Sequence, residues 1–310
     1  MGGMDGNDSC ALLRRAARKL ILLITNNREQ QPEPQLAHTT NTQNQQTKDL
    51  IQRTQSLLNH DAQEALPKQE KQRHDMIRRF LIARNYDTKR AAAFLDKHLA
   101  WREANLVDQR RHQSAESILG CDLVHMQTIL PHATGGTDRH GRLLVYLHFG
   151  GQCELRKLLK HTKIENLMAY CWWLSESYVR KLDQLGTDQW CSIIDAKGWH
   201  LGLFDGTAVR FLQGMHKIWS DHYPERLNRL IVVNAPATLA IAWKVIRTWL
   251  DDKTRHKIEI VSSRDLPQAV RSLSALAEAS QLAEQYGGTG PRLCPWPVCP
   301  SHGGLSLVTS

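Results

Sequence analysis

Four short strand candidates from residue 142 onward, separated by stretches of helical period, constrain the fold more than any other feature. They fall at 142–149, 190–195, 230–233 and 257–261. The third of them, inside DHYPERLNRLIVVNAP (221–236), is a solid Leu-Ile-Val-Val block. A parallel strand buried on both faces needs no polar alternation, and this block reads as one. Three of the runs lead into helical patterns. Ile164, Leu167, Met168, Cys171, Leu174, Tyr178 and Leu182 form one stripe across 163–183; Phe211, Leu212, Met215, Ile218 and Trp219 form another across 206–222. Strand alternating with helix predicts an α/β fold on a mostly parallel sheet with crossover helices.

The third helical pattern, 237–250, is different. Leu239, Ile241, Ala242, Trp243, Val245, Ile246, Trp249 and Leu250 spread around most of its circumference. A helix apolar nearly all round is buried, or faces something apolar that is not protein. The alternatives are a core helix and a lid over an apolar cavity or membrane.

Upstream, 73–110 reads as a small helical unit. Met76, Ile77, Phe80 and Leu81 have helical spacing, Asn85-Tyr86-Asp87 breaks it, and Asp87 can cap a second helix carrying Ala91, Phe94, Leu95, Leu99 and Trp101. Residues 25–72 hold eleven glutamines between Gln30 and Gln72 and few large apolar residues. Such a composition predicts a mobile linker, because little apolar burial offsets the ordering entropy. The expected organisation is therefore an extension (1–72), a helical module (73–115), an α/β domain (116–289) and an irregular tail (290–310). Within the extension, Leu20–Ile24 follows Arg14, Arg15, Arg18 and Lys19; it reads as a short basic amphipathic or targeting segment, or as plain extension.

Seven scattered cysteines offer no disulfide framework, which suits a reducing, cytoplasmic setting. Cys294 and Cys299 would make half a metal site whose other half is missing, so no metal is expected. Net charge is +9, yet residues 1–72 hold nine Lys/Arg against eight Asp/Glu, so the surplus lies beyond them. That surplus suits an anionic membrane surface or acidic ligand. Nucleic acid is not an expected partner, since no zinc finger, basic helix or aromatic-interleaved basic stripe is present. No run approaches the ~20 apolar residues that span a bilayer. No nucleophile elbow, phosphate loop, H-E-x-x-H or G-x-G-x-x-G after a strand occurs, so no enzyme and no cofactor are expected. Asp195 ends a strand, where catalytic groups often sit, but it can equally cap the turn through Lys197-Gly198.

Six motifs in order then resemble one family. RRFLIARNYDTKRAAAFLDKHLAWR (78–102) is similar to the N-terminal helical module of CRAL-TRIO lipid-binding proteins of the phosphatidylinositol/phosphatidylcholine-transfer type. DRHGRLLVYL (138–147), IIDAKG (193–198), YPERLNRLIVVNAP (223–236), WLDDKTRHKIEI (249–260) and YGG (286–288) follow, so the resemblance covers 73–289. It implies a lipid-holding apolar pocket between a sheet floor and a mobile gating helix at 237–250, contributed by Leu239, Ile241, Ala242, Trp243, Val245, Ile246 and Trp249. It also implies headgroup contacts at Arg84, Glu225, Thr254 and Lys257, all of matching type, although such a set can also be an ion-pair cluster bracing the fold. The implied protein is a monomeric, non-catalytic carrier at anionic membranes. It takes phosphatidylinositol and serves a lipid kinase or other lipid-modifying enzyme. Trp199-His200-Leu201-Gly202 lacks the hydroxyls of the choline-lipid branch, so phosphatidylcholine is not expected. The fold also accommodates a carrier of a retinoid, tocopherol or sterol-like lipid, or a lipid-sensing scaffold.

Overall fold

The computed structural model describes residues 39–293, with side chains from Gln45 onward. The basic segment at 14–24, Cys294, Cys299 and most of the 290–310 tail lie outside the described residues. The chain divides into two compact units. One is helical, with described residues 39–112 and 216–226; the other, 113–215 and 227–293, contains the sheet.

The helical unit comprises α1 (Thr39–Ser56), α2 (His60–Ala65), α3 (Glu70–Ile82), α4 (Thr88–Ala104) and α5 (Val107–Arg110). Asp87 caps α4 as expected, accepting from the Arg90 N–H at 3.0 Å. Asn85 and Tyr86, both at positive φ, turn the chain between α3 and α4. The expectation of a mobile linker up to residue 72 needs correction over 39–65. Ile51, Leu58, Ala62 and Leu66 pack into one core with Ile77, Phe80, Leu81, Leu95 and Leu99. A few apolar positions suffice for α1 because α3 and α4 supply the surface they dock on.

The sheet unit has five strands among its described residues, in order β1-β2-β3-β4-β5. They are β1 (His132–Thr137), β2 (Leu143–His148), β3 (Trp190–Asp195), β4 (Leu227–Ala235) and β5 (Ile258–Ser262). β1 runs antiparallel to β2 and the rest are parallel. The four strands read from the sequence are all present; β1, with Gly135-Gly136 in its middle, gives no apolar signal. Helices α6 (Ala115–Leu119) and α7 (Leu123–Ile129) precede the sheet. Helices α8 (Leu155–Leu158), α9 (Ile164–Leu185), α10 (Gly206–His222), α11 (Leu239–Ile246), α12 (Asp252–His256) and α13 (Leu266–Leu276) complete the order. The boundary between units falls within α10, after Met215.

Several family-like motifs have plain structural jobs. Asp138 accepts the His140 and Arg142 N–H groups at 2.9 Å each, with the Arg142 guanidinium 3.1 Å away, and so shapes the turn into β2. Asp195 accepts from the Lys197 N–H (2.9 Å) and from Asn234 Nδ2 (2.8 Å). It caps the turn through one oxygen, and its other oxygen lies 3.5 Å from the Tyr286 hydroxyl. Gly288 lies against the Leu282 carbonyl so closely that a Cβ would collide, which accounts for a glycine there in YGG.

Candidate functional site

The two faces of the sheet over β4 and β5 differ. On one, Ile231, Val233 and Val261 are buried with Ala269, Leu273 and Leu276 around α13. The pleat turns Leu230, Val232, Ile258 and Ile260 to the other. There Leu230 pairs with Ser192 and Ile258 in register, and Val232 with Ile194 and Ile260. That face is just as apolar but less covered: Ile260 remains 36% exposed in the middle of a strand. Ile194, Trp199, Leu230 and Leu239 are partly buried against a small cluster of Ala196, Val232 and Ala235.

Leu239 brings α11 to this cluster. Regular helix extends only over Leu239–Ile246, shorter than the expected 237–250. At its start, Leu239, Ala240 and Ile241 make three-residue turns back to Pro236, Ala237 and Thr238. At its end, Thr248 and Trp249 bond back to Val245 and Ile246, and the Thr248 hydroxyl donates to the Val245 carbonyl at 2.7 Å. A hydroxyl competing for a helical carbonyl unwinds the last turn. Ala242 is buried; Leu239, Trp243, Ile246 and Trp249 are half-buried; Ile241 (51%) and Val245 (42%) are exposed. Leu201, in the adjacent 3-10 turn, is exposed as well. Thus the helix that is apolar all round is not a core helix.

The four headgroup candidates divide between the units: Arg84 and Glu225 in the helical unit, Thr254 and Lys257 in the sheet unit. Arg84 follows α3, its guanidinium 3.5 Å from the Phe94 ring centroid and donating to the Ala83 carbonyl at 2.9 Å. Burial lowers its pKa, as does the Arg90 charge, against an opposing pull from Asp221. The cation–π contact holds the planar fork in one orientation. Glu225 is half-buried at φ 60°, a left-handed conformation uncommon for a residue with a Cβ. Such an outlier is a reason to suspect function. Its neighbours Tyr223, Pro224 and Arg226 are buried. Arg229, two positions into β4, pairs with Glu259 on β5 at 2.5 Å and so braces the sheet.

Thr254 and Lys257 are organised by Asp251, which caps α12. Asp251 accepts from the Thr254 N–H and hydroxyl, each at 2.8 Å. Burial pushes the Asp251 carboxyl up, but those bonds and the Lys257 charge bring it below the usual carboxylate range. Lys257 is half-buried and its carbonyl accepts from the Leu230 N–H at 2.8 Å, tying the T-x-x-K turn to β4. Phe94 and Asp251 were not singled out from the sequence. Asp251 had a signal, an Asp three positions before the Thr it caps; Phe94 had none beyond its place in a helical stripe.

Two surface concavities, of about 570 and 320 Å3, lie elsewhere in the sheet unit and include none of the α11 residues. Among the described residues, no cluster of His, Cys, Asp or Glu could hold a metal ion, and no helix is long and apolar enough to cross a membrane.

With this geometry in view, the sequence matches the CRAL/TRIO domain family over residues 132–288. Two phosphatidylinositol/phosphatidylcholine transfer proteins of Arabidopsis thaliana, SFH7 and SFH9, are each 29% identical to it, over 249 and 238 residues. The matches cover 75% and 72% of this chain but only 41% and 38% of those relatives. The CRAL-TRIO domain-containing protein T23G5.2 of Caenorhabditis elegans is 25% identical over 62% of the chain. The crystal structure of Sfh5 has the same fold at a TM-score of 0.60 and 15% identity, covering 82% of this chain and 89% of that one.

Proposed function

The chain belongs to the CRAL/TRIO domain family, and from that premise we propose that it is a non-catalytic carrier of a single phospholipid, phosphatidylinositol first. The observation that carries this reading is the incompletely covered apolar sheet face beside α11, a helix with exposed Ile241 and Val245. Each buried CH2 is worth ~0.8 kcal/mol, so acyl chains of about thirty carbons resist entering water by on the order of 20 kcal/mol. A carrier needs an apolar enclosure and a gate that can exchange cavity for bilayer at little cost. α11 has that character, and Lys244 and Arg247 on or just after it suit an anionic bilayer.

At the headgroup, Arg84 and Lys257 would take the phosphate and Thr254 would donate to it. Glu225 would accept from an inositol hydroxyl or position Lys257. The family resemblance is what joins all four in one headgroup site. The names of the plant relatives include phosphatidylcholine, but Trp199-His200-Leu201-Gly202 offers no hydroxyl for a choline lipid, so phosphatidylinositol is the preferred cargo. Peripheral contact with anionic membranes, a monomeric state and delivery to a lipid-modifying enzyme such as a lipid kinase belong to the same proposal.

The test is mass spectrometry of lipid co-purifying with the protein, together with transfer of labelled phosphatidylinositol between vesicles. Phosphatidylinositol in the purified protein and its transfer are expected. Another hydrophobic cargo, such as a retinoid or sterol, with no phosphatidylinositol transfer would overturn the reading.

A further inference from the structure

The larger concavity, about 570 Å3, lies at the β1 edge of the sheet. It is lined by β1, by β2, by the end of α9 and by the segment 280–291. Tyr146 and Ala283 in its wall belong to the core cluster of the closed sheet face, so this hollow is separate from the lipid face.

The lining has two characters. Leu143, Tyr146, Leu185, Ala283 and Pro291 supply apolar surface, and Leu185 is 45% exposed there. Thr134, Thr137, Lys181, Gln184, Ser280 and Gln281 supply hydroxyls, amides and one ammonium. No carboxylate is among the lining residues, so Lys181 sets the sign of the hollow.

The Lys181 ammonium is half-buried and donates to the Thr134 hydroxyl at 2.5 Å. Burial nevertheless lowers its pKa, and the Arg180 charge lowers it further. A net downward shift means that the charged form is worse off here than in water. An anion brought beside it acts in the opposite direction. A second donor is fixed nearby on the same strand. Gln281 Oε1 accepts from the Thr137 N–H at 3.1 Å and from the Thr137 hydroxyl at 3.4 Å. Those bonds set the orientation of the amide, and its Nε2 has no hydrogen-bond partner among the described residues. The walls are already in place. Gly136 has φ 70°, and a Cβ on it would collide with the Gln281 carbonyl, so segment 280–283 lies tight against β1. The Ala283 N–H donates to the Tyr146 hydroxyl at 3.3 Å. Groups held in this way bind a ligand without the cost of ordering a loop.

One cation calls for one negative charge, and the apolar lining calls for a hydrocarbon body. The volume falls among ligand pockets, roughly 300–1,000 Å3. We propose that this hollow binds a small organic monocarboxylate with an apolar body. Lys181 takes the carboxylate, the Gln281 amide donates to a further oxygen of the ligand, and Leu143, Leu185 and Pro291 hold the body.

The experiment titrates the whole chain by calorimetry with 2-naphthoxyacetate and with its neutral counterpart, 2-(2-naphthoxy)ethanol. The variants are Lys181→Met and Leu185→Glu, the second placing a repelling charge at an exposed position where folding is not at stake. Ile241→Ser on α11 reports any probe bound at the lipid face instead. The acid is expected to bind at least about tenfold more tightly than the alcohol. Lys181→Met should abolish that preference, Leu185→Glu should weaken the acid by about tenfold or more, and Ile241→Ser should bind it as wild type does. No binding of the acid, equal affinity for acid and alcohol, or wild-type binding by Leu185→Glu overturns the site. So does a loss in Ile241→Ser as large as that in Leu185→Glu, which would put the probe on the lipid face.

Discussion

The two sides of β4 and β5 are built from the same residue types and have opposite fates. Ile231, Val233 and Val261 are buried under α13, with none more than 2% exposed. One residue away along the same strands, Leu230 and Ile258 are only half-buried and Ile260 is 36% exposed. The difference lies in what the chain supplies as a cover. α13 offers Ala269, Leu273 and Leu276 on one stripe, and these reach the sheet. α11 reaches its cluster through Leu239, buries Ala242, and turns Ile241 and Val245 outward. A face completed by its own chain is a core; a face left with apolar surface to spare has the means to hold something else.

The sharpest way to break this comparison is to truncate an apolar side chain on each side. Leu273→Ala, on α13, should destabilise the protein by about 3 kcal/mol, read as a shift in the urea midpoint. An effect as large from Ile241→Ser on α11 would mean that the two faces are the same kind of core.

Acid should act on the helical unit through a facing pair of histidines, and on the sheet unit through the buried His132 of β1, whose ring lies against the Leu130 carbonyl and the Tyr170 hydroxyl. In the helical unit His98 and His222 stand with Nδ1 atoms 3.4 Å apart, and Trp101 stacks on His222 at 3.7 Å between centroids. Burial lowers both pKa values, His98 well below its ordinary value and His222 to about 4, with neighbouring cations adding to the effect. The folded state therefore binds fewer protons than the unfolded chain between about pH 6.5 and 4. Stability is full above that window and is lost as pH falls through it, by on the order of 2 kcal/mol. Hydrogen exchange in α4 at pH 7.5 and pH 5 reads this directly. His98→Gln with His222→Gln should remove most of that loss in α4, and an unchanged loss would show that the histidine pair is not the cause.

Removing headgroup candidates should act on the open face's function more than on the fold. Arg84→Ala with Lys257→Ala is expected to lower phosphatidylinositol loading about tenfold or more, equivalent to about 1.4 kcal/mol. Unchanged loading in a folded double variant would reduce these residues to braces. The smallest effect expected is that of Ile241→Ser on stability, within about 0.5 kcal/mol of wild type, because the side chain is already exposed. Its effect should appear as slower vesicle exchange, and full-speed exchange would remove α11 as a gate.

Much of the architecture was legible in the residues. β2 to β4 announce themselves because buried parallel strands are largely apolar runs, β5 by its Ile258, Ile260 and Val261 around Glu259, and Asp87 announces α4 because a short acid before an apolar period is a helix start. β1 was not legible, since an edge strand with two glycines lacks the side chains that make the signal. α1 and α2 were hidden by their glutamines; four spaced apolar residues look like noise until α3 and α4 provide the opposing surface. At the site, residue types at 84, 225, 254 and 257 could be matched by motif, but the Phe94 platform under Arg84 and the Asp251 cap on Thr254 are contacts, which a linear pattern does not record.

The sequence by itself determined that 237–250 would be an apolar segment with no polar face, because that follows from side chains and a 3.6-residue period. Whether it is buried in a core or left at a surface depends on how much opposing apolar area the rest of the chain brings to it. Only the tertiary structure decided this: α13 covers one side of β4 and β5, and α11 meets the other with Leu239 and Ala242 inward and Ile241 and Val245 outward. Burial is a property of pairs of surfaces, and a sequence lists only one member of each pair at a time.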